Sequence, residues 1–160
     1  MPGEEQDGRS EGLVKLTFPL DASAWHGSAT EILWAEKVTD SQYRLRNTPF
    51  YAYGVSAEDV VFAREQDGRL VFAGVARHGG HSTYRIIKAK GSDPVRFQER
   101  WAPLQKLGCS YEEGPGGLLA VDVPPELTIH AAYSLLEQGE EARVWSFEEG
   151  HCGHPLQVQR

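Results

Sequence analysis

Long apolar runs are missing from this sequence: none of its 160 residues lies in a stretch approaching the roughly 20 apolar residues of a membrane helix. Cysteine is scarce, only Cys109 and Cys152, which excludes a disulfide-stapled scaffold and suits a reducing compartment where both stay thiols. Net positive charge is absent as well. The chain carries −7 with a pI near 5.3, which argues against a nucleic-acid binder that works by blanketing phosphates. No glycine-rich phosphate loop with its lysine and no nucleophile elbow occurs. Residues 1–11 are rich in Gly, Glu and Asp and lack the apolar stretch of a signal peptide. They read as a disordered lead-in, and the chain as a cytoplasmic protein.

What remains is the composition of a globular protein, 40% hydrophobic and 24% charged. Charge is unevenly spread. Bases dominate from Arg77 to Lys106, whereas from Ser110 to Gly150 the acids face a single base, Arg143. Two solvated faces of opposite sign explain this more simply than a basic groove for an anion.

Residues 12–77 predict five short strands. Leu13 to Leu20 alternates with period two, and Thr30 to Val38 continues it, with Ile32, Trp34 and Glu36 sharing one face; if that face is buried, the carboxylate needs a partner. Asp40-Ser41 turns the chain into Gln42–Arg46, with Tyr43 and Leu45 inward. Val60–Arg64 and Leu70–Ala76 flank Gln66-Asp67-Gly68, a hairpin signal. Five such strands, each with one apolar face, expose two edges unless the sheet curls closed.

The period changes at His78-Gly79-Gly80-His81. Ser82–Ala89 predicts a strand. Asp93-Pro94 starts a helix on which Phe97, Trp101 and Leu104 recur at helical spacing, and Pro103 should kink it or end it early. Two strands, Ser110–Glu113 and Leu118–Val123, follow. A second helix over Leu127–Glu141 and a strand over Val144–Phe147 complete the pattern, and residues 148–160 show none. The expected fold is therefore α+β: a small N-terminal β-barrel (12–77) packed against a C-terminal ferredoxin-like βαββαβ sandwich (78–150), with 151–160 as a tail.

Three groups of residues could carry chemistry. Trp34, Phe50, Tyr51 and Tyr53 could line a pocket with Glu36 and Asn47 as its polar members, although such aromatics are more often core. The glycines before His81, together with Ser82, Thr83 and Arg85, could hold a carboxylate or phosphate, although a glycine turn leading into a strand is the plainer reading. Pairing of the last strand with the first would bring His78 and His81 near Glu148, Glu149, His151, Cys152 and His154. Those ligand types suit zinc or copper, but their spacing favours hydrogen-bonded histidines and a polar tail, so no metal and no cofactor is expected. The candidate ligand-binding residues are thus Glu36, Asn47, Phe50, Tyr53, His81, Ser82, Thr83 and Arg85.

Leu33-Trp34-Ala35-Glu36, Tyr43-Arg44-Leu45, Asn47-Thr48-Pro49-Phe50, Asp59-Val60-Val61, Gly80-His81-Ser82-Thr83 and Phe147-Glu148-Glu149-Gly150 together resemble a bacterial family catalogued as domain of unknown function 4265. The resemblance spans roughly residues 29–150 and implies a bacterial, cytoplasmic, stand-alone protein. It confers no catalytic residues. The expected function is a non-catalytic module binding a small molecule, peptide or protein partner in a resistance, immunity or regulatory setting. The alternatives are a hydrolase or metalloenzyme using His81 with Glu36 or Glu149, and a structural homodimer.

Overall fold

A computed structural model of the protein describes residues 12–156. The predicted lead-in, residues 1–11, lies outside them, as do residues 157–160 of the tail. Over the described residues the chain is mixed α+β, with two sheets and two α-helices.

The first sheet holds β1 (Leu13–Pro19), β2 (Thr30–Lys37), β3 (Gln42–Leu45), β4 (Val60–Gln66) and β5 (Arg69–Arg77). Neighbours pair antiparallel in that order, and β1 also pairs parallel with β5 through Leu16↔Leu70 and Thr17↔Val71, so the sheet closes on itself. Asp67 and Gly68 both have positive φ, as a two-residue turn matched to strand twist requires. The interior is built from Leu16, Phe18, Leu33, Ala35, Tyr43 and Leu45. On β2 Leu33 and Ala35 point inward, while Ile32 is 54% exposed, so the face shared by Ile32, Trp34 and Glu36 is the outer one. The indole of Trp34 lies on the outer side with Ile32.

The second sheet is open, in the order β7-β8-β6-β9, with β6 (Ser82–Lys88), β7 (Ser110–Glu113), β8 (Leu119–Val123) and β9 (Trp145–His151). Tyr84 and Ile86 of β6 join Leu119 and Val121 of β8 beneath α1 (Pro94–Leu107) and α2 (Ile129–Glu141). Phe97, Trp101 and Leu104 are the buried stripe of α1, at the predicted spacing. Asp93 caps that helix by accepting the N–H of Val95, and Gly108 ends it at φ 125°. Pro103 does not stop α1, which runs on to Leu107. It lies on the exposed face, where water can take the carbonyl that loses its N–H donor. Cys109 is buried, and burial pushes its thiol up to about 12, so it acts as a small apolar residue.

The last strand runs four residues further than predicted, to His151. Its extension contains a register shift: Tyr84 pairs with Glu149 but Thr83 with His151, leaving Gly150 as a bulge. The tail after it is partly anchored, because His154 is buried.

Alternation along β6 points Tyr84 and Ile86 at the helices and Thr83 and Arg85 the other way. That second side meets the segment joining β3 to β4, residues 46–59, so the two sheets join through one connecting loop.

On α2, Gly139 lies against Trp145, whose indole N–H donates to the carbonyl of Leu136. A Cβ at Gly139 would overlap the indole ring. Gly139→Ala should therefore lose about 1 kcal/mol of stability in urea titration, the difference between an overpacking cost of about 2 kcal/mol (within the usual range of about 1–3) and a helix-propensity gain of about 1 kcal/mol. A stabilised variant would show that the indole yields.

Candidate functional site along the seam

Glu31 faces the interior from β2, in phase with Leu33 and Ala35. Its carboxylate accepts the N–H groups of Phe50 (2.6 Å), Tyr51 (3.0 Å) and Ala52 (2.9 Å). Arg85 approaches the same loop from the open sheet. Nε donates to the carbonyl of Phe50 and Nη2 to that of Ala52, both at 2.7 Å. One carboxylate thus takes the loop's donors and one guanidinium its acceptors. Without them these backbone groups would be buried unpaired.

Arg85 has no solvent-accessible surface. Burial lowers its pKa, opposed by the charges of Glu148 and Glu31. Glu148 lies 3.7 Å from Nε, and the Tyr53 ring stacks 4.9 Å from the guanidinium carbon. Among the described residues Nη1 finds no hydrogen-bond partner. It occupies the space beside Gly150, where any Cβ would collide with it, and the carbonyl of Gly150 accepts the N–H of Gly54. The bulge at a residue without a side chain is what admits the guanidinium.

Tyr53 is half exposed. Its hydroxyl donates to Glu148 (2.8 Å) and accepts the indole N–H of Trp25 (3.0 Å). Trp25 is itself 51% exposed and meets Tyr51 edge-on at 5.9 Å, with His26 alongside. Phe50 turns away and packs on Gly114, which has no Cβ to block it.

A second polar cluster lies further along the seam. Buried Asp59 accepts the N–H groups of Ser56 and Gly79 and pairs with Nδ1 of His78 at 2.9 Å. The Ser56 hydroxyl bonds both Thr83 Oγ1 (2.6 Å) and His151 Nδ1 (2.9 Å). Beyond it, Ser82 accepts the N–H of Gly153 and bonds His154 Nδ1 at 2.6 Å. The other nitrogen of His154 donates to the carbonyl of Pro124, which fixes the tautomer so that Ser82 is the donor.

Of the predicted residues, Phe50, Tyr53, Thr83 and Arg85 meet at the seam, and Ser82 lies next to it. Asn47 instead accepts the N–H of Trp34 and finishes the β2–β3 pairing. Glu36 does not join them. The turned face of β2 puts it outside, bonded to Arg44 and Arg46. His81 pairs with Asp122 at 2.8 Å, and Glu149 takes the hydroxyl of Tyr84, so the pairing of His81 with Glu36 or Glu149 is not formed. Register explains this: β6 lies beside β8, with Ser82 opposite Val123 and Thr83 opposite Asp122. Burial raises the pKa of Asp122, and His81 opposes that shift. Sequence reasoning missed Glu31, Asp59, Ser56 and Asp122. The legible signal was an acid in phase with Leu33 and Ala35, and another directly before Val60-Val61.

A shallow groove of about 270 Å³ runs along α1, lined by Gln98, Trp101, Gln105, Cys109, Ser110 and Tyr111. It contains none of the predicted site residues and offers amides, hydroxyls and an inert thiol.

Burial lowers the pKa of His151 below 6.5, with the neighbouring His78 acting the same way and Asp59 and Glu149 opposing. The unfolded chain therefore takes up this proton first. The stability contributed by neutral His151 is present above pH 6.5 and is lost as pH falls through the folded value. The melting temperature should drop on acidification below about pH 6.5, and His151→Gln should flatten that segment of the curve. Equal slopes for the two proteins would contradict the assignment.

No curated protein matches the sequence. A solved structure from Neisseria gonorrhoeae, described as a novel crystal structure of a hypothetical protein, is similar in fold with a TM-score of 0.76 at 22% identity. The match covers 88% of this chain and 96% of that one. Across residues 31–147 the sequence matches the profile of Domain of unknown function (DUF4265), and the chain belongs to that family.

Proposed function

We propose that this protein is a non-catalytic binding module whose ligand docks on the aromatic edge of the seam. The observation that carries this reading is the chain Trp25 Nε1–H to Tyr53 hydroxyl to Glu148, which fixes two half-exposed aromatic side chains in place. Glu31 and Arg85 hold the loop beneath from both sides, so a ligand would meet a surface already ordered and little side-chain entropy would be lost on binding. Tyr and Trp are the side chains that most often anchor interfaces. In the architecture we infer, a small barrel sits on a ferredoxin-like sandwich and the ligand spans their junction.

Tyr53 and Glu148 already meet Arg85, so the exposed ring of Trp25 is the surface that favours a cationic group. The chain's charge of −7 attracts the same partner. The best-fitting ligand is a peptide or protein segment presenting a lysine or arginine, in a bacterial cytoplasmic setting. Catalysis is disfavoured by how the reactive groups are used. Ser56, Ser82 and Thr83 have no exposed surface, and both nitrogens of His154 are bonded. A homodimer through the edge strand β7 is disfavoured by Glu112 and Glu113, which would meet like charges there.

Titration with short basic and acidic peptides, followed by NMR, tests the reading. Basic peptides should shift the Trp25 indole N–H and the Tyr53 ring. Trp25→Ala should weaken them about tenfold, a loss of ~1.4 kcal/mol, with little change in melting temperature because that side chain is half exposed. Binding that ignores peptide charge, or leaves Trp25 unshifted, would overturn it.

A further inference from the structure

The cluster around Asp59 is unused by the aromatic edge and stands independently of it. His78 leaves the end of β5, and His151 ends β9. Their rings stack with centroids 4.5 Å apart and planes at 21°. One ligand-capable atom from each of Asp59, His78 and His151 lies within 4.8 Å of the other two.

We propose that His78 and His151, supported by Asp59, form a binding site for one divalent transition-metal ion of the Zn²⁺ class. Two imidazole nitrogens are donors suited to such ions, with the remaining positions left for water or a further ligand. Orientation supports this assignment more than composition does. Asp59 holds His78 through Nδ1, and that bond leaves Nε2 carrying the lone pair. This is the carboxylate–histidine relay that commonly backs a metal ligand. The Ser56 hydroxyl meets Nδ1 of His151 and is fixed in turn by Thr83; metal binding through Nε2 of His151 requires the tautomer in which Nδ1–H donates to Ser56. Both Nδ1 atoms face the single turn 56–59, so both rings present their other edge away from it.

The backbone is shaped for this approach. A Cβ at Gly79 would strike the carbonyl of Glu58, so glycine is what lets His78 come down onto Asp59. Gly80 has φ 94°. Side-chain exposure of 45% at His78 leaves a route for the ion. Zinc lies about 2.0–2.1 Å from each imidazole nitrogen, so binding would draw the ligand atoms inward from their present spacing, with the half-exposed His78 making the movement. Asp59 already accepts two backbone N–H groups, so its main part is as a positioning residue.

Isothermal titration of the full chain with ZnCl₂ should give one ion per chain at pH 7.5 and much weaker binding at pH 5.5, because a ligating nitrogen must be free of its proton. His78→Ala, at a half-exposed position, and His151→Gln should each weaken binding at least about tenfold. His26→Ala and His130→Ala should leave it unchanged. Trace Cu²⁺ added to the wild type should broaden the ring resonances of His78 and His151 before those of other histidines, a readout that needs no variant to fold. Absence of binding, binding that survives His78→Ala, or broadening first at His26 or His130 would overturn the proposal.

Discussion

Arg85 brings a guanidinium from the open sheet into a place with no solvent contact, and the surrounding structure answers the cost of that burial. An unpaired buried charge is strongly unfavourable. Here two loop carbonyls, the ring of Tyr53 and the carboxylate of Glu148 surround it. Each comes from a different part of the chain: residues 50–53 precede Arg85 by more than thirty positions, and Glu148 follows it by more than sixty. A bulge at Gly150 makes the space. The loop cannot keep this shape from the guanidinium alone, because its N–H groups point the other way, toward Glu31. The two charged side chains therefore act as a pair through the backbone between them.

That arrangement links folding to function. A loop with three aromatics in four positions would ordinarily collapse into a core. Clamped by Glu31 and Arg85, it buries Ala52, packs Phe50 on Gly114, and leaves Tyr53 half exposed beside Trp25. The same seam carries the Asp59–His78 and Ser56–His151 contacts. Both proposed sites thus depend on the closed sheet and the open sheet meeting in one register.

Much of the fold was legible where burial follows a local period. Phe97, Trp101 and Leu104 mark one side of a helix whatever lies elsewhere, and Asp67-Gly68 fixes its turn from backbone preference alone. The face of β2 was not legible. Both alternating sets, Ile32/Trp34/Glu36 and Glu31/Leu33/Ala35, combine apolar residues with one acid, so period two leaves the choice open. The choice is made by Glu31 reaching a loop some twenty residues away. Pro103 was readable as part of the helix but not as lying on its exposed face, and the helix runs past it to Leu107. At the site, Arg85, Thr83, Phe50 and Tyr53 were found from composition around the glycines and aromatics. The partner of His81 depended on strand register, which placed Asp122 beside it in preference to Glu36 or Glu149.

Native-state hydrogen exchange on Arg85→Met compared with the wild type tests the clamp most directly, since methionine keeps the apolar bulk and removes the donors. In the wild type the amides of Tyr51 and Ala52 should exchange only with the cooperative opening of both sheets. In the variant they should exchange by a separate, easier local opening, while the amides of β6 and β8 stay protected. Unchanged protection of Tyr51 and Ala52 in Arg85→Met would mean that the loop holds itself and that the buried guanidinium does not join the two halves.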